Sequence, residues 1–285
     1  AADERVLFLE TVRGCVFQCR FCYYPKSYDR VYAVSPERVL ANLRHAAERG
    51  AQEVVILDPT LNQRPDFLDF LRLLVQGNSG RQFTYFAELR AEGIDAESAD
   101  LLRKANFTEV EAGLQSVDRR TQELMGRPVN LKAVQRGVEA MLAAGIRVKV
   151  DLIIGLPGNT VDSVRRGLDY LSALRPACDA QVFQLSVLPG TSFRHDAQQL
   201  GLTFQPRPPY YVLGTPTLTI PQMVSLMEEA QEALDIEFDP LPPPALQFAM
   251  DEGGLLRGCR IDLDTGPVEL PPVERQAQTF VLWLC

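Results

Sequence analysis

Histidine is scarce in this chain: His45 and His195 are the only two in 285 residues, alongside six cysteines. A tetrahedral zinc site asks for four ligands, and with His45 in an expected helix and His195 in a distant unit, zinc is left short of partners. Long apolar runs are also missing. Stretches such as "VKVDLIIGLPG" fall far below the ~20 residues of a bilayer span, and residue 1 opens no charged-then-apolar leader, so the expectation is a soluble, cytoplasmic protein with no membrane partner. Basic residues are in deficit, 29 Lys and Arg against 37 Asp and Glu, for a net charge of −8. That balance disfavours steering toward nucleic acid and favours a neutral or locally recognised substrate. An initiating Met is absent too, and the chain stops on the apolar run "TFVLWLC", which reads as a piece of something longer.

What is present is regular. From residue 5 to about 205, short β-rich runs alternate with amphipathic stretches, the pattern of βα units around a parallel sheet. Six runs qualify: "RVLFLETV", "EVVIL", "FTYFAEL", "FTEVEAGLQ", "VKVDLIIG" and "AQVFQLSVL". Ser35 and Pro36 start one helix, Asp95 and Asp118 are expected N-caps, and Gly50 and Gly145 are expected stops. The fold class is therefore α/β, a partial (β/α)6 TIM-like barrel over residues 1–205, with a small C-terminal extension over 206–285 where the texture turns to "PRPPYYVLGTPTL".

Two of the runs are not uniformly apolar, as strands covered on both faces would be. Val110, Ala112 and Leu114 alternate with Glu109, Glu111, Gly113 and Gln115; Val148, Val150, Leu152 and Ile154 alternate with Lys149, Asp151 and Ile153. If the apolar sets face the helices, the polar sets point into the barrel. Each uncompensated group there costs about 2 to 7 kcal/mol, so they meet either one another in an ion-pair network or a polar ligand.

Cys15, Cys19 and Cys22 follow the first strand directly, too close together for a disulfide framework. Their loop sits at the C-terminal rim, where such barrels place active sites. Three thiolates can hold three irons of a 4Fe-4S cluster and leave the fourth without a protein ligand. Cys178, Cys259 and Cys285 stand alone and read as packing residues.

Cys15-x-x-x-Cys19-x-Phe21-Cys22 after a first strand resembles the signature of the radical S-adenosylmethionine (SAM) superfamily. The resemblance implies that SAM chelates the open iron, with Phe21 against its adenine. It implies one-electron reduction of the SAM sulfonium to release methionine and a 5′-deoxyadenosyl radical. "LDPTL" is similar in position to the family loop that takes the methionine amino group, here Pro59 and Thr60. In the branch of oxygen-independent coproporphyrinogen oxidase an acid ends the next strand, matching Glu88. "GLQSVDRRTQELMGRPVN" implies Gln115 at the ribose and Arg127 at the methionine carboxylate. "DLIIGLPGNT" implies a ribose role for Asp151 and an adenine shelf of Ile154, Gly155 and Leu156. An acid beside an amide suits paired hydroxyls, and an arginine fork suits a carboxylate; the bland alternative for Arg127 is a solvated residue beyond a short helix.

"ETVRGCVFQCRFCYYP" and the "VLPGT" region also resemble cobalamin-dependent members, whose cobalamin domain precedes the barrel. That likeness implies methyl transfer with cobalamin carried upstream of residue 1. A cobalamin-independent oxidase or rearrangement enzyme, and a noncatalytic iron-sulfur or zinc scaffold, are the alternatives. The implied partners are a small-molecule or peptide substrate and a one-electron donor such as flavodoxin or ferredoxin.

Overall fold

The computed structural model describes residues 5–24, 28, 30–174 and 177–238, and the backbone of 256–261 and 276–284. In chain order the strands are β1 (Val6–Leu9), β2 (Val12–Arg13), β3 (Tyr32–Ala33), β4 (Glu53–Ile56), β5 (Thr84–Leu89), β6 (Phe107–Gln115), β7 (Arg147–Ile154), β8 (Asp179–Gln184), β9 (Thr203–Phe204), β10 (Val212–Gly214), β11 (Leu256–Ile261) and β12 (Gln276–Leu284). The helices are α1 (Pro36–Glu48), α2 (Phe67–Gly77), α3 (Ala96–Ala105), α4 (Arg119–Leu124), α5 (Leu131–Ala143), α6 (Val161–Leu174), α7 (Ser192–His195) and α8 (Ile220–Leu234). Six strands pair in parallel in the order β1-β4-β5-β6-β7-β8. This is the sheet of a partial TIM-like barrel with β1 and β8 at its edges, as the alternating pattern predicts.

Local chemistry explains where the helices begin. The Ser35 side chain accepts from Arg38 N ahead of Pro36, Asp95 forms a capping box with Ser98, and Asp118 accepts from Thr121 N. Asn130 caps α5 in the same manner, a start that does not stand out in the sequence. Thr160 and Ser163 exchange hydrogen bonds of 2.8 and 3.1 Å at the head of α6, and Gly50 and Gly145 take positive φ of 80° and 78° just past α1 and α5.

The alternation in β6 and β7 sorts as its period demands. Val110, Val148 and Val150 are 0% exposed, and Ala112, Leu114, Leu152 and Ile154 are buried with them under the helices. The opposite set faces the lumen. Toward the N-terminal ends, Glu109 pairs with Arg147 at 2.7 Å and Lys149 at 3.5 Å, so the ion-pair alternative holds at that level. Toward the C-terminal ends it does not.

By contacts the chain falls into two compact units, residues 1–236 and 237–285. In the first, α8 is tied to α6 by a bidentate Arg165–Glu229 pair at 2.8 Å. In the second, β11 and β12 pair in parallel. No helix among the described residues is long and apolar enough to cross a membrane.

Candidate active site

The cysteine loop leaves β1 through Thr11 and returns at β3, which pairs antiparallel with β2. Gly14 turns the chain at φ +87°, and a Cβ there would strike the Arg30 carbonyl. Beneath the loop lies the segment after β4. The buried Asp58 carboxylate accepts from Thr11 N at 2.6 Å and Val12 N at 2.8 Å, and from the Thr11 hydroxyl. Burial pushes the Asp58 carboxyl up, against the pull of those donors. Gln63 accepts from Val16 N at 2.9 Å and donates to Gly14 O at 3.0 Å, while Arg64 donates to Thr11 O at 2.9 Å. On the far side, Arg20 donates to Leu124 O at 3.0 Å and pairs with Asp196 at 2.7 Å.

So held, Cys15, Cys19 and Cys22 line one cavity of about 230 Å³ with Phe17, Phe21, Pro59, Thr60, Glu88, Leu89, Glu111, Gly113, Gln115, Arg127, Asp151, Ile153 and Phe183. Ten expected site residues meet there, drawn from the loops or ends of successive strands. Burial pushes the Cys15 and Cys22 thiols up. Among the described residues no group of three or more Cys, His, Asp or Glu side chains is placed to hold a single metal ion; a 4Fe-4S cluster would give each thiolate its own iron.

Arg127 is 7% exposed, which removes the solvated-face alternative. Its Nη2 donates to Gly113 O and its Nη1 lies 3.8 Å from Cys19 Sγ, while Nε has no partner. Gln115 Oε1 and Asp151 Oδ1 are likewise buried without partners. Gln115 adopts φ +68°, where the β6–β7 ladder shifts register, a conformation that non-glycine residues hold only when their surroundings impose it. Gly113 makes room: a Cβ there would collide with Gln115 Nε2 and come within 3.6 Å of Arg127 Nη2. An amide, a guanidinium and an acid on the cavity wall thus each keep a buried polar atom without a protein partner.

Glu88 is reached by solvent at the cavity mouth, yet the protein around it pushes its carboxyl up to about 7, through burial first and the charge of Glu111 second. Asp151, 3% exposed, is raised by burial and then by Glu111.

The expected shelf of Ile154, Gly155 and Leu156 does not line this cavity. Ile154 belongs to the outward set of β7, and Leu156 is fully buried. Gly155 turns at φ +91° under Val212 and Met223, where a side chain would not fit. Ile153, one residue earlier, takes the inward place. Phe17, Phe183, Glu111 and Ile153 join the site without a motif to announce them, although the alternation that turns Asp151 and Gln115 inward also places Glu111 and Ile153 there. Cys178 is buried at 4% as a packing residue; the side chain of Cys259 and all of Cys285 lie outside the described residues.

The model of the Radical SAM superfamily matches residues 9–171, more than half of the chain. A tRNA-2-methylthio-N(6)-dimethylallyladenosine synthase from Syntrophotalea carbinolica is 27% identical over 197 residues, covering 65% of this chain and 44% of the relative. The chain spans less than half the length of the curated relatives it matches. Among solved structures, the radical S-adenosylmethionine methyltransferase TsrM from Kitasatospora setae, with cobalamin and a [4Fe-4S] cluster bound, aligns with a TM-score of 0.65 at 20% identity, over 76% of this chain and 43% of that one. Coproporphyrinogen III oxidase (HemN) from Escherichia coli aligns with a TM-score of 0.60 at 18% identity, over 89% and 60%. At such identities the likeness is one of fold.

Proposed function

The chain belongs to the radical SAM superfamily, whose enzymes use a 4Fe-4S cluster and SAM, and from that premise we propose that its cavity binds and cleaves SAM for transfer of a methyl-type group. When bound, the cluster supplies one-electron reduction of the SAM sulfonium, which breaks a carbon–sulfur bond and yields a hydrogen-abstracting radical.

The protein's own part is binding, orientation and exclusion of water. Cys15, Cys19 and Cys22 hold the cluster. Arg127 grips the methionine carboxylate, Pro59 and Thr60 border its amino group, and Glu88 stands at the mouth. Gln115 and Asp151 accept from the ribose hydroxyls. Phe21 and Ile153 flank the adenine, in place of the shelf that lies outside the cavity. The observation that carries this reading is that Gln115, Arg127 and Asp151, each with a buried polar atom that has no protein partner, line one cavity with the three cysteines.

Cobalamin, in this proposal, is supplied by a domain outside these residues, and electrons by a flavodoxin or ferredoxin. A small molecule or peptide is the preferred substrate over nucleic acid, because the net charge of −8 repels phosphate, although the methylthio relative is named for a tRNA product. Anaerobic reconstitution tests the core of the proposal. The iron-loaded, reduced protein should form 5′-deoxyadenosine from SAM, and a loaded cluster that forms none would sink it. Repeating the assay with added methylcobalamin and isotopically labelled SAM separates methyl transfer from cobalamin-independent oxidation.

A further inference from the structure

Glu111 faces the same cavity and has no part in holding SAM in the proposed function. It lies on β6 opposite Lys149 and two residues before Gly113, the register partner of Asp151. Both side chains line the one cavity from adjacent parallel strands, and the Glu111 and Asp151 carboxyl groups come within hydrogen-bonding range of each other. Two carboxyl groups meet in that way only with a proton between them.

The surrounding charges do not dissolve the pair. Lys149 is shared with Glu109 at 3.5 Å, and Arg147 is engaged by Glu109 at 2.7 Å. Arg127 is committed to Gly113 O and lies beside Cys19, one of the three thiols across the cavity. On the remaining sides, Glu88 adds negative charge from β5, and β8 presents Gln181 opposite Asp151 and Asp179 opposite Lys149.

We propose that Glu111 is a positioning residue for Asp151: one proton held between the two carboxyl groups fixes the Asp151 side chain and leaves its other oxygen to accept from the ribose of SAM. The inference rests on the assignment of Asp151 to the ribose. Burial and the Glu111 charge both raise the proton affinity of Asp151, so the bridge is present through neutral pH and is lost as pH rises past the release of the shared proton. Binding should therefore weaken on the alkaline side.

Calorimetric titration of SAM into the cluster-loaded protein, from about pH 6 to about pH 10, reads this directly. Glu111→Gln replaces the carboxyl that shares the proton by an amide that can donate to Asp151 at any pH. It should keep the neutral-pH affinity and lose the part of the alkaline fall that belongs to the pair; the SAM amino group titrates alike in both proteins and cancels. Glu111→Ala should bind about tenfold more weakly at neutral pH, as expected for a lost hydrogen bond to a charged group. An alkaline fall identical in wild type and Glu111→Gln overturns the inference, and so does an unweakened Glu111→Ala. Cluster absorbance and thermal midpoint certify folding, and if Glu111→Ala fails to fold, the Gln comparison decides alone. Absence of SAM binding by the cluster-loaded wild type is a different failure, which removes the SAM assignment and the role of Glu111 together.

Discussion

The two ends of the barrel lumen are written in one alternating pattern and finished in opposite ways. At the lower level Glu109 is closed off by Arg147 and Lys149. Two residues up the same strand, Glu111 and then Gln115 share a cavity with Asp151 and Arg127, and three buried atoms there have no partner. Leaving a buried polar group unpaired costs about 1 to 3 kcal/mol. The lower end is thus complete without a ligand, whereas the upper end gives up stability that a ligand can restore on binding.

Substitutions at successive heights should therefore separate cluster, ligand and fold. The largest effect belongs to the loop above the cavity. Cys19→Ala should abolish the brown absorbance of the reconstituted protein, and Cys178→Ala, away from the cavity, should leave it; equal loss in both would contradict the ligand assignment. Next comes the ligand end. Arg127→Lys, which keeps the charge and loses the planar fork, should weaken SAM binding by about tenfold or more in calorimetry while the cluster still assembles. At the bottom, Glu109→Gln breaks pairs whose basic partners are 70% and 30% exposed. It should cost less than about 1 kcal/mol in urea unfolding and leave SAM affinity unchanged. A large loss of affinity there would mean that the two ends are coupled and the contrast between them is wrong.

Much of this contrast is legible in the amino-acid sequence. The period-two pattern of β6 and β7 separates a helix-facing set from a lumen set, and the strand runs, the Asp95 and Asp118 caps and the Gly145 stop depend on local chemistry that sequence records. The cysteine spacing points to its own chemistry. What sequence does not show is set by contacts between distant segments. Arg127 follows a short helix and looks solvated until the chain folds it beside Cys19 and Gly113. Nothing in "LDPTL" marks Asp58 as a structural residue, yet it holds the backbone of Thr11 and Val12. The Ile154 to Leu156 shelf is a different case: the motif likeness points to those residues, while the simple alternation of β7 turns Ile154 outward and brings Ile153 to the cavity of the cysteines.

The hold of Asp58, Gln63 and Arg64 on the start of the cysteine loop has a consequence for assembly. Metal capture by an unstructured segment spends part of its binding free energy on ordering the chain. Here the backbone at Thr11, Val12, Gly14 and Val16 is anchored from below by side chains outside the thiol set. Incoming iron therefore meets a frame already fixed at its base, and damage to that base would surface first as slow or incomplete cluster loading, with the three thiols themselves intact.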